Sequence, residues 1–180
     1  MSSFTHYLEK EVLDTFIGDD NTLFMGLSRT DGKRAGNFAV WGDDPEDPTK
    51  KAITTEGIDE PGQGWFLDPE DDTWKTEASA DLASTYARVE LNNGATNWHA
   101  VEVVLGEEGD SELRLQSDVD WATAGAGEDW GNISHFFITD SATVGAGNIL
   151  AWGQMPDSVQ IVEGMTAKIW GNTVVIRMTD

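Results

Sequence analysis

The side chains best equipped for chemistry are three histidines, His6, His99 and His135, one of them in a Ser134-His135 dipeptide, together with 33 carboxylates. Imidazoles serve as metal ligands when two of them sit a helical turn apart or alternate along a strand, and no pair here has that spacing. Ser134-His135 would suit a hydrolase only on a strand-turn-helix elbow, and the surrounding SHFFITD has the look of a strand instead. The clusters DDPED (43–47) and DPEDD (68–72) offer oxygens to calcium or magnesium, while GEEGDSE (106–112) is a further piece of the scattered acid. They lack the glycine and terminal glutamate of an EF-hand loop, so a solvated acidic surface is the preferred reading over a loop-bound ion. No catalytic residue, no metal site and no cofactor is expected, and the chain reads as a non-enzyme.

Other chemistry is excluded by composition. The absence of cysteine removes thiol nucleophiles, thiolate zinc and disulfides. A net charge of −22, from 33 acidic and 11 basic residues, repels nucleic acid and anionic membranes alike. The N-terminus lacks the apolar core of a signal peptide, so synthesis and retention in the host cytoplasm are expected until the protein leaves with an assembly. Molar salt screens charge beyond about 3 Å, so this scattered acid points to a halophilic host, the alternative being an acidic mesophilic surface protein. Acid is also uneven: residues 1–60 hold 13 acidic side chains, 61–120 hold 14 and 121–180 only 6. The last third is therefore expected to be core or interface, and the segment 131–158 is expected to be a closely packed hairpin turning at Ser141–Gly147.

The elements that would position these residues are mostly strands. Phe4, Leu8, Val12 and Phe16 recur every fourth position, which predicts an amphipathic helix over 4–17, closed by Gly18 and docked on a sheet or a neighbouring subunit. After it, LFMGLS (23–28), NFAVWG (37–42), STYARVEL (84–91), HAVEVVLG (99–106), ELRLQSDVDW (112–121), SHFFITD (134–140), NILAWGQM (148–155) and the pieces of 166–178 alternate with turn residues. In 84–91, Ala87, Val89 and Leu91 are expected on one face, with Tyr86, Arg88 and Glu90 on the other. The whole predicts a single all-β domain over 1–180, a jelly-roll-like β-sandwich with one N-terminal helix. Residues 43–80 interrupt it as a long acidic excursion anchored by Trp65, Phe66, Leu67 and Trp74.

The eight tryptophans are anchors or stacking platforms. Trp41, Trp65 and Trp74, on or beside the excursion, are the candidate ligand contacts. Trp152 and Trp170 join Phe4, Leu8, Val12, Phe16, Phe136 and Ile138 as candidate contacts with an oligomer partner or another protein.

In order along the chain, YLEKEVLDTFIG (7–18), LFMGLS (23–28), Tyr86–Val89, 92-NNGATNW-98, 130-WGNISHF-136, GNILAWG (147–153) and the turn Glu163-Gly164 resemble a family of small virion structural proteins of tailed viruses, tail-fibre-like or head-decoration proteins. The resemblance spans the first 28 residues and 84–178, and departs at 29–83 and in its acid. It implies a non-enzymatic sandwich in a symmetric assembly on a virus head or tail. The first expectation is a capsid-surface decoration or turret protein, forming a small ring or trimer and contacting other virion proteins. The second is a tail-fibre or baseplate component. From another class, a carbohydrate-binding module would use Trp41, Trp65 or Trp74 on host surface glycans.

Overall fold

In a computed structural model the chain is built almost wholly of antiparallel strands with one short helix. The structure describes residues 6–16, 18, 22–29, 60–62, 65–67, 74–76, 83–91, 97–103 and 111–178. The all-β class with an N-terminal helix is therefore what the alternation predicted, and no barrel closes among the described strands. The chain divides into two compact units, one made of Met1–Leu23, Leu91–Asp120 and Lys168–Asp180, the other of Phe24–Glu90 and Trp121–Ala167.

The first unit carries the helix α1 (His6–Phe16), which packs on β5 (Glu102–Val103) and β6 (Ser111–Arg114). Its buried face is set by Leu13, and Phe16 meets the ring of Trp98 edge-on at 6.4 Å. Val12, on the stripe expected to dock on a sheet or a neighbouring subunit, is exposed, because the face packed on these strands is centred one residue further along. The helix stops where Gly18 N–H bonds back to Thr15 C=O. β6 lies between β5 and β11 (Val175–Met178), pairing Val175 with Arg114 and Ile176 with Leu113. Leu113, Leu115, Val119, Ile169 and Val174 are buried in this unit.

The second unit is organised on a four-stranded sheet in the order β4 (Val89–Leu91), β1 (Leu23–Arg29), β8 (Asp129–Thr139), β9 (Ile149–Val162). β8 is central and reads as a core strand, with Trp130, Ile133, Phe137 and Ile138 almost fully buried. It pairs with β1 from Phe24↔Thr139 to Leu27↔Phe136. Gly26, opposite Phe137, is required by close approach: a Cβ there would fall on the Phe137 ring. The β8–β9 turn also needs glycine, since Gly147 has φ +90° and a Cβ would strike Ser141.

In sequence between β1 and β4, β2 (Trp65–Leu67) and β3 (Trp74–Thr76) form a separate antiparallel ribbon pairing Trp65 with Thr76 and Leu67 with Trp74. The apolar anchors of the acidic excursion thus become strands, because two β-rich triplets flank a turn-length spacer. The expected strand 37–42 lies outside the described residues. β7 (Val119–Thr123) and β10 (Thr166–Ile169) form a second two-stranded sheet.

Two expectations about faces need correction. In 84–91 only Val89–Leu91 is strand, with Leu91 buried and Glu90 exposed, whereas before it Tyr86 and Arg88 are buried and Ala87 is exposed, so one alternation does not run through the whole segment. The reason is a buried polar partner that outweighs the apolar period. In 131–158 the hairpin exists and turns where expected, yet low charge marks burial in β8 alone; most of β9 is exposed.

Candidate interaction surface

Three polar constellations hold the units together internally, and each consumes the chemistry of its residues. The first lies in the second unit. Arg88 Nη2 and Nε donate to the two carboxylate oxygens of Glu60 at 2.7 and 2.8 Å, and both side chains are fully buried. Arg88 Nη1 also donates to the carbonyls of Ser141 and Ala146, each at 2.8 Å, while Gly145 N–H donates to Glu60 at 3.2 Å. The turn between β8 and β9 is thereby clasped from both sides. Tyr86 O–H donates to Glu60 at 2.9 Å and accepts from Leu27 N–H at 2.8 Å, so burial and then the Glu60 charge push its phenol well above the ordinary range. The Arg88 guanidinium lies 5.2 Å over the Phe137 ring.

The second constellation is a seat for the Glu128 carboxylate. It accepts from Ser84 Oγ, Thr85 N–H and Oγ1, Gly125 N–H and Trp130 Nε1. Burial raises this carboxyl, but those donors outweigh it and hold the group well below the carboxylate range. It is a structural anion, too acidic to exchange protons near neutrality.

The third belongs to the first unit. A shallow polar cavity of about 100 Å³ is lined by His99, Ala100, Glu102, Glu112 and Arg114. Three of its lining groups are already engaged: Glu112 accepts from Arg114 at 2.6 Å and from Arg177 at 3.1 Å, and His99 Nε2 meets Asn172 Oδ1 at 2.8 Å. Small-molecule sites are typically several hundred Å³, so this hollow suits water better than a sugar ring.

Ser134 Oγ and His135 Nδ1 are 2.5 Å apart but are neighbours on β8, and burial lowers the His135 imidazole. Among the described residues no three histidine, aspartate or glutamate side chains converge as a metal site. The clusters at 43–47 and 68–72 lie outside the described residues, as do Phe4 and Trp41. Leu8 is in α1, and Trp65 and Trp74 are in the β2–β3 ribbon.

The rim of the second unit's sheet among the described strands is β9. It ends the four-stranded sheet, so among the described residues no strand pairs with its outer side. Its residues 149–162 include one charge, Asp157, in a chain of net charge −22. Leu150, Trp152, Val159 and Val162 are exposed by 39%, 37%, 44% and 38%, more than isolated apolar side chains on a strand facing a core would be. The registers His135↔Gln154 and Ile133↔Val159 leave residues 155–158 facing only Ser134, a bulge carrying Pro156 and Asp157. Of the candidate contacts from sequence, Trp152 lies on this edge, 6.0 Å from the His135 ring. Phe136 is half-buried against Gly153 and Ile138 is buried. Ile138 is therefore core and not contact surface. In the first unit Trp170 is 62% exposed, with Lys168 Nζ 4.3 Å over its ring. The main-chain edge itself escaped sequence reasoning, because nothing in a local pattern says which strand ends a sheet.

The family described as podophage GP4 fiber I protein gp80 matches residues 65–177, more than half of the chain. The match takes in 65–83, which the resemblance of the motifs had set aside, and does not reach the first 28 residues. No curated protein and no solved structure matches the chain.

Proposed function

The chain belongs to the podophage GP4 fiber I protein gp80 family and is a structural virion protein; from that premise we propose that it is a fibre component of the tail, built as a homo-oligomer and free of catalytic activity. The observation that carries the proposal is the long, charge-poor and apolar outer edge of β9 on an otherwise acidic chain. A rigid antiparallel sheet with one adhesive edge suits a part that is repeated or docked in a particle. The polar clusters support the non-enzymatic reading, since their carboxylates are engaged by internal donors. The family favours the fibre over the capsid decoration or turret that motif resemblance placed first. The −22 charge supports a virion from a halophilic host, where salt screens repulsion between copies.

Mass spectrometry of separated heads and tails tests the placement. Peptides of this chain in the tail fraction at tens of copies per particle are expected. Copy numbers in the hundreds on heads would return the decoration reading, and absence from both would sink the structural one.

A further inference from the structure

We propose that Trp170 is the stacking platform of a carbohydrate site in the first unit, taking a neutral hexopyranose unit of a polysaccharide, with Lys168, Asp118 and Asp120 as its hydrogen-bonding partners. The proposal adds a ligand to the virion reading and does not depend on which part of the particle the chain occupies.

The first ground is the way Trp170 is held. At 62% it is the most exposed of the large apolar side chains among the described residues. A single exposed tryptophan on a loose loop would need no explanation, but the turn that carries this one is fixed at every residue. Asp118 Oδ1 accepts from Gly171 N–H at 2.8 Å, Asn172 N–H donates to Leu115 C=O at 2.6 Å, and Thr173 Oγ1 donates to Trp170 C=O at 2.6 Å. Gly171 packs directly on the main chain before β7, where a Cβ would lie 2.2 Å from the Gln116 carbonyl oxygen. Asn172 takes a left-handed φ of 66°, and its side-chain oxygen meets His99 Nε2 at 2.8 Å. The indole is thus presented on a rigid backbone, which lowers the ordering cost of binding.

The second ground is the polar frame beside the ring. Lys168 Nζ lies 4.3 Å over the Trp170 centroid, 2.7 Å from Asp118 Oδ2 and 3.2 Å from Asp120 Oδ1. All three side chains remain partly exposed. Gly171 N–H and then Lys168 hold the Asp118 carboxyl below its ordinary range, and Asp118 raises the Lys168 ammonium, so the cluster stays ionised near neutrality. A flat aromatic ring flanked by fixed donors and acceptors matches a pyranose, whose C–H face is apolar and whose hydroxyls both donate and accept.

Charge and desolvation select this occupant. Two carboxylates against one ammonium leave the cluster negative, on a chain of net charge −22, which disfavours anionic sugars, phosphate and nucleic acid. The cation position over the ring is already filled by Lys168, so a ligand ammonium would have to displace it. A protein surface laid over Trp170 would take the Lys168, Asp118 and Asp120 charges out of water, a cost that their mutual attraction repays poorly. Sugar hydroxyls instead take the places of water on those groups.

The test uses the full-length chain in molar salt. An array of neutral glucose-, galactose- and mannose-containing oligosaccharides is followed by calorimetric titration of those retained, with oligogalacturonate as the anionic control. Saturable binding of a neutral oligosaccharide is expected, and none of the anionic one. Trp170→Ala is expected to weaken binding by about tenfold or more with unchanged far-UV CD. Trp170→Phe should keep part of the affinity, Asp120→Asn should lower it, and Trp65→Ala with Trp74→Ala should leave it unchanged. Should Trp170→Ala fail to fold, Trp170→Phe and Asp120→Asn decide by the same titration. Failure of the wild type to bind any neutral oligosaccharide, or full affinity in the Trp170 variants, overturns the proposal. So does a change of mass in light scattering on Trp170→Ala, which would make the residue a contact between copies. Silence toward every sugar leaves the virion assignment intact, whereas absence from purified particles removes that assignment even with sugar binding measured.

Discussion

Replacing Arg88 by methionine should destabilise the second unit more than any surface substitution. The change leaves the Glu60 carboxyl fully buried without its counter-ion, facing Tyr86 O–H and Gly145 N–H. Removing one partner of a buried pair costs about 3–5 kcal/mol, because the remaining charge keeps its desolvation penalty without its counter-ion. The carbonyls of Ser141 and Ala146 also lose a charged donor, each a loss of order 1 kcal/mol that overlaps the first. A total of about 4 kcal/mol is expected, or roughly 8–16 °C in Tm for a chain of this size. Urea unfolding followed by tryptophan fluorescence reads it, since Trp130 sits edge-on to Tyr86 at 5.3 Å within the same cluster. The double variant Glu60→Gln with Arg88→Met should recover much of the loss, because it removes the orphaned charge while the amide still accepts from Tyr86. Hydrogen exchange should show Gly145 losing protection in Arg88→Met, marking release of the turn. The exposed pair Lys10–Asp14 is the control, and its disruption should cost at most about 0.5 kcal/mol. If Arg88→Met costs no more than that control, the clasp does not hold the β8–β9 turn and the reasoning fails.

Glu128 gives a pH test. Its folded pKa is depressed below the ordinary value of 4.5, so its contribution is fully present above that pH and is lost as pH falls through and below it. Glu128→Gln should therefore be less stable than wild type at pH 7, with the gap narrowing toward pH 3 in urea titrations; a constant gap would contradict the seat described. Gly26→Ala should cost about 1–3 kcal/mol by thermal melting, because the new Cβ meets a Phe137 ring with no room to move, whereas Gly153→Ala should cost less against the half-buried Phe136. The acidic surface predicts loss of near-UV CD between molar salt and 50 mM; an unchanged spectrum across that range would remove the halophile reading. A glycan array in high salt tests Trp65, Trp74 and Trp41 as sugar platforms, and no binding by the wild type is the result that discards them.

Much of the architecture was legible locally. Alternating apolar residues with glycine, asparagine and aspartate between them predicted strands at most of the places where strands occur, and a four-residue apolar repeat predicted the helix. Such periods report on backbone conformation, which neighbours in sequence largely decide. Residues 84–88 show where that logic stops. Alternation sets Tyr86 and Arg88 with Glu90 on the face opposite Ala87, Val89 and Leu91, and the structure buries the first two because Glu60, more than two dozen residues earlier, meets them there. Paired burial of opposite charges has no local signature, since either residue alone would be placed in water. Glu128 is similar: one acidic residue among 33 became a buried anion only when Ser84 and Thr85 arrived beside it.

The candidate surface divides the same way. By itself the sequence determined that residues 149–162 are nearly free of charge and strand-forming, that thiol chemistry is impossible, and that the chain resembles virion structural proteins. Tertiary structure alone decided that β8 takes the centre of the sheet and β9 its rim among the described strands, so that two strands with similar patterns differ in fate: one is paired on both sides, the other on one side by a described strand. The physical reason is that a strand's pattern records which residues avoid water, while its position depends on which other strands compete for its edges, and that competition is settled between residues far apart in the chain.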